Sequence, residues 1–153
     1  MEGKLSNLIE SNFGKAAFYT PEENARYGGV NLNCCERILR GANIAYGLGM
    51  REEDLRVSAA FGGGMGIGIT CGALVGALMV LSMKYSGPAE KTTALKEEIT
   101  APFLMRMREE LGGLDCSFLK PRVPQQQPFD STPIVLAVAK ALDETVERLD
   151  AQK

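Results

Sequence analysis

The sequence predicts an all-α protein: a single compact domain of about five substantial helices around a central apolar, Gly/Ala-rich helix. Three observations carry this. No segment alternates apolar and polar residues with the period of two that a half-buried strand needs. Several segments repeat apolar residues at helical spacing behind good N-cap residues. One stretch, from Val57 to Met83, has no charged side chain. A chain of 153 residues, 45% hydrophobic and 24% charged, suits one domain with a real core.

The elements follow in order. Residues 4–18 read as a short amphipathic helix with Leu5, Leu8 and Ile9 on its apolar side. A second helix is expected over 20–29, with Thr20 as cap, Pro21 in the first turn and Gly28–Gly29 as the stop. Residues 1–30 thus form an N-terminal helical extension. A third helix runs from Asn33 to about Tyr46; Asn33 and Glu36 have the spacing of a capping box. "REEDLRVSAAF" predicts a short fourth helix. A glycine loop follows, and then a long apolar helix from Thr70 to about Tyr85. After "SGPAE" comes a helix from about Ala89 to Leu111, then a single turn at Cys116. Residues 120–130 read as an extended, proline-rich loop, and the last helix as Thr132 to about Leu149.

The uncharged segment is long enough to cross a bilayer, and its glycines fall at four-residue spacing. Its first half is too rich in glycine to begin as helix, and Ile69 to Met83 has the length of a buried core helix. The reading is a core helix, with no membrane span. Small residues such as Gly72, Ala73, Gly76 and Ala77 would let its neighbours approach closely.

Composition removes several chemistries. Histidine is absent, which excludes Ser-His-Asp triads, Cys-His pairs and HExxH zinc sites. A net charge of −2 gives no pull toward nucleic acid. "GGGMGIG" fails both the dinucleotide-binding spacing and the P-loop ending. Its backbone N–H groups, at Gly64, Gly66, Gly68 and Gly72, could still hold an anion at a helix start. The N-terminus reads as neither signal nor transit peptide, so a cytoplasmic protein with reduced thiols is expected.

The cysteines are more telling. Cys34 follows Asn33, Cys71 follows Thr70 and Cys116 follows Asp115, each a good N-cap at an expected helix start. There the helix dipole favours a thiolate, the form that attacks disulfides and binds metals. Cys35 would point about 100° round the helix from Cys34, toward core or surface. The competing reading is four small buried hydrophobes.

"NCCERIL", "AFGGGMGIGITCGALVGALMVLSMKY" and "LDCSFL" together resemble the C_GCAxxG_C_C family, named for its motif. The likeness runs from about Asn33 to Leu119, and the final helix fits the family's C-terminal end. The family is similar to the non-haem domain of split-Soret cytochromes c; no CxxCH is present here, so haem is not implied. Three family cysteines transfer, as Cys34, Cys71 and Cys116. Where the fourth is expected, Ser131 or Thr132 stands instead.

The resemblance implies redox activity but no settled reaction. Three functions compete. In the first, Cys34, Cys71 and Cys116 do thiol–disulfide or electron-transfer chemistry, with Cys71 as the attacking thiolate. In the second, Cys34, Cys35, Cys71 and Cys116 ligate an iron–sulfur cluster or another metal. The third is a helical binding module with a degenerate cysteine site. An oxidoreductase or electron-transfer protein is the expected partner, and a homodimer the expected assembly.

Overall fold

The computed structural model describes residues 4–123, 125 and 130–152. Among these the regular structure is all helical, with one isolated antiparallel bridge between Thr70 and Asp115. The helices are α1 (Leu5–Glu10), α2 (Pro21–Tyr27), α3 (Cys34–Tyr46), α4 (Glu52–Leu55), α5 (Gly72–Tyr85), α6 (Thr92–Leu95), α7 (Ala101–Leu111), α8 (Cys116–Leu119) and α9 (Thr132–Ala151).

The core is built where α5 lies along α3 and α9, with α1 closing the gap between α3 and α9. Leu5, Ile9, Ile38, Leu39, Leu74, Leu81, Val135, Val138 and Leu142 are all sealed from solvent. The close contact of α3 with α5 depends on a missing side chain. A Cβ on Gly76 would lie 3.0 Å from the Cys35 carbonyl oxygen and 3.1 Å from Ile38 Cβ. Helix α1 is no appendage: its first two N–H groups both donate to Asp143 on α9, at 2.9 Å each. Asp143 also accepts from the Tyr46 hydroxyl at 2.6 Å, which ties α1, α3 and α9 at one buried point.

Several helices differ from the sequence expectation. The first ends at Glu10 rather than running to residue 18, because Asn12 and Gly14 take positive φ, at 67° and 86°. The fourth is one α-turn followed by a 3-10 stretch over Arg56–Phe61. The expected helix over 89–111 begins as a 3-10 turn and passes through a π-helical turn, Lys96–Thr100, between α6 and α7. Pro102 in the first turn of α7 has no N–H to give the preceding turn, which accounts for the wider turn there. The caps at Thr20 and Asn33 form as expected, each a reciprocal capping box. The proline-rich segment opens as a 3-10 turn over Lys120–Arg122; the rest of that expectation, at 124 and 126–129, lies outside the described residues.

Helix α5 is central but not fully wrapped. Val75, Leu78 and Met79 are half-buried and Met83 is exposed, lining an open groove with Leu39, Met50 and Val57. Among the described residues no helix is long and apolar enough to cross a membrane.

Candidate functional site

The site is built from helix starts. Cys34 is the first residue of α3, Cys71 is the N-cap of α5 and Cys116 is the first residue of α8. All three line one cavity of about 380 Å³, together with Ser131, the N-cap of α9. Four segments far apart in sequence therefore bring their N-terminal ends to a common space. No disulfide is present; Cys34 and Cys116 are half-buried, while Cys71 is 4% exposed.

The glycine loop explains how these ends meet. Cys71 N–H donates to the Leu114 carbonyl and Cys116 N–H to the Ile69 carbonyl, both at 2.8 Å. This reciprocal pair, around the Thr70–Asp115 bridge, ties the two cysteine-bearing segments together. Between Phe61 and Ile69 the chain coils into a tight π-turn over Gly64–Gly68. Gly64 has φ +61°, and a Cβ there would run into the Ile69 carbonyl oxygen and come within 2.9 Å of Cys116 Cβ. A Cβ on Gly72 would likewise come within 2.5 Å of the Phe61 carbonyl oxygen. The glycines thus let the loop press against the cysteine-bearing ends. Of the four glycines expected to line an anion site, only Gly72 reaches the cavity, joined by Gly63; Gly64, Gly66 and Gly68 do not line it.

Two further expectations change. Burial, with the Cys34 thiol beside it, pushes the Cys71 thiol up to about 11, although the Ala73 and Leu74 N–H groups act to lower it. Cys34 is also raised: burial outweighs the Ser131 hydroxyl and the Arg37 charge, both of which favour its thiolate. The helix starts do favour thiolates, but desolvation is the larger effect. Cys35, named as a conditional ligand, is fully buried and turned away from Cys34 round α3. Its sulfur lies 4.0 Å from that of Met79, burial pushes it up to about 12, and it does not line the cavity.

Of Ser131 and Thr132, the two residues standing where a fourth family cysteine is expected, only Ser131 lines the cavity. Ser131 Oγ lies 3.2 Å from Cys34 Sγ. Thr132 instead accepts from Arg37 Nη1 at 2.9 Å and donates to Asp130. Asp130 in turn receives Lys15 at 2.8 Å. Burial alone would raise the Asp130 carboxyl, but the hydrogen bonds from Lys15 and Thr132 prevail and hold it at about 2.

Arg37 is the residue that sequence reasoning missed. It lines the cavity, is 3% exposed, and donates Nε to the Phe13 carbonyl at 2.8 Å. Its position three residues after Cys34 puts both on one helix face, a signal present in the sequence. No sequence signal pairs Lys15 with Asp130, which are 115 residues apart.

Arranged this way, the site gathers three free thiols around one small, partly closed space. No curated protein and no solved structure matches the chain. The profile of one family does, described as "Putative redox-active protein (C_GCAxxG_C_C)", over residues 32–145. With the match covering most of the chain, the protein belongs to the C_GCAxxG_C_C family.

Proposed function

We propose that this is a thiol-based redox protein whose reacting groups are Cys34, Cys71 and Cys116. The observation that carries the reading is the sharing of one cavity by these three thiols while Cys35 is kept out. Cys34 suits the first attack better than Cys71. It is more accessible, and Ser131 and Arg37 both favour its thiolate. Its thiolate attacks one sulfur of a disulfide substrate, forming a mixed disulfide and releasing one substrate thiolate. A second cavity thiol, Cys71 or Cys116, then attacks Cys34 Sγ and releases the other half. Two electrons pass to the substrate, and the two protons of the protein thiols end on the two substrate thiols. In a cell the exchange partner would be an oxidoreductase or electron-transfer protein at the next step.

A second reading rests on the four helix ends around the cavity, three with thiols and one with the Ser131 hydroxyl. Such a set could hold an iron–sulfur cluster with serine as a weak fourth ligand. Among the described residues no three Cys, Asp or Glu side chains are grouped as ligands of one ion, so this reading needs the walls to draw in and takes second place.

Anaerobic purification with metal analysis, a visible spectrum and thiol counting separates the two. The thiol reading expects a colourless protein that loses two thiols on oxidation and regains them on reduction. It expects Cys34→Ser to remove this cycle while the helical circular dichroism is kept. Stoichiometric iron with a charge-transfer band would favour the cluster instead.

A further inference from the structure

Lys15 and Arg37 bring positive charge to the cavity wall, where Asp130 is the one carboxylate among the described lining residues. Asp130 is already engaged by Lys15 and Thr132. Three long helices, α3, α5 and α9, also begin at its wall, each directing the positive end of its dipole there. Arg37 makes the imbalance plain by contrast with Arg40, one turn further along α3. Arg40 is 6% exposed and meets the Glu52 carboxylate twice, at 2.6 and 2.9 Å, so its charge is met directly although its Nε has no partner among the described residues. Arg37 is more deeply buried, yet its two hydrogen bonds go to neutral oxygens, and its Nη2 donates to nothing among the described residues. The nearest carboxylate, Asp130, reaches Arg37 only through the Thr132 hydroxyl and is itself engaged by Lys15. A buried guanidinium so indirectly compensated is costly, and an anion in the adjoining cavity would relieve it. At about 380 Å³ the space is of small-molecule size.

We propose that the cavity takes a small anionic disulfide, one carrying carboxylates or similar oxyanions near its sulfur–sulfur bond, as the substrate of the cysteines. This rests on the thiol reading above. Cys34 attacks the bound sulfur–sulfur bond, one anionic thiolate leaves, and a second cavity thiol displaces the other. The ligand gains the two electrons that the protein dithiol loses.

The test uses the reduced full-length chain and three disulfides of similar size: dithiodiglycolate (two carboxylates), 2-hydroxyethyl disulfide (neutral) and cystamine (two ammonium groups). Rates of probe thiol release at low ionic strength are divided by each probe's rate with a free cysteine derivative. The expected order is dianion, neutral, dication, with at least about tenfold between the first two, shrinking with added salt. Adipate, the sulfur-free analogue of dithiodiglycolate, should compete with it, and Arg37→Gln should flatten the order if that variant folds. The comparison in the native chain needs no variant. Equal normalised rates, or a reversed order, would overturn the anionic-substrate proposal and leave the thiol reading standing. Adipate bound by calorimetry with none of the disulfides reacting would overturn the thiol reading and leave only an anion site.

Discussion

Two buried polar clusters of this protein behave in opposite ways. At Asp143 every partner is matched: two N–H groups of α1 and the Tyr46 hydroxyl converge on one carboxylate that is 3% exposed. At the cysteine cavity little is matched. Two thiols are pushed toward their neutral form, a buried guanidinium keeps a spare N–H, and the space stays open. The first cluster is what stability asks for, since a buried polar group costs little only when it is paired. The second leaves interactions unmade, as a site that must receive a ligand does.

That contrast can be broken from either side. Asp143→Ala should have the largest effect. It strands two N–H groups and a hydroxyl, and about 3 kcal/mol of stability should be lost in urea unfolding. A loss under 1 kcal/mol would show that water readily replaces the carboxylate. Next comes Gly64→Ala, where the new methyl group meets Ile69 and Cys116 and the backbone has positive φ. It should cost about 2 kcal/mol and alter the alkylation rate of Cys116, whereas Gly66→Ala, with open space around it, should cost only about 1 kcal/mol of backbone strain. Similar effects at both positions would mean that strain, not the close approach, is what these glycines relieve.

Ser131→Ala should leave the fold intact but remove a hydroxyl that favours the Cys34 thiolate. Iodoacetamide labelling of Cys34 at neutral pH should slow about fivefold, the worth of roughly 1 kcal/mol of hydrogen bond. Unchanged labelling would take Ser131 out of the site. The smallest effect is on acid stability. The Asp130 carboxyl sits at about 2 in the folded protein, below its ordinary value near 3.9. Its contribution is therefore complete above about pH 4 and is lost as pH falls toward 2. Asp130→Asn should flatten that part of the urea midpoint-against-pH curve, and only slightly, because Lys15 and Asp130 are both partly exposed.

Much of this was legible in the residues. The caps at Thr20 and Asn33 work through neighbours three positions away, and local sequence holds all the information such a motif needs. The three cysteines at helix starts were equally readable, as was the sideways turn of Cys35. The end of α1 was not. Asn12 and Gly14 reverse the chain there, and the carbonyl of Gly14 receives the Leu32 N–H from a distant segment. The thiol pKa values were misjudged for a related reason. A helix start lowers a thiol pKa through nearby backbone dipoles, but how much water the thiol loses is set by what packs over it.

The sequence by itself determined the helical class, the caps and the family motif, because each depends on residues a few positions apart. Only the tertiary structure decided that Ser131 rather than Thr132 faces Cys34, that Gly63 and Gly72 rather than Gly66 reach the cavity, and that Arg37 reaches Asp130 only through Thr132. Those facts depend on the meeting of α3, α5, α8 and α9 at one end of the molecule. Burial and charge balance are properties of everything packed around a group, and no spacing along the chain encodes them.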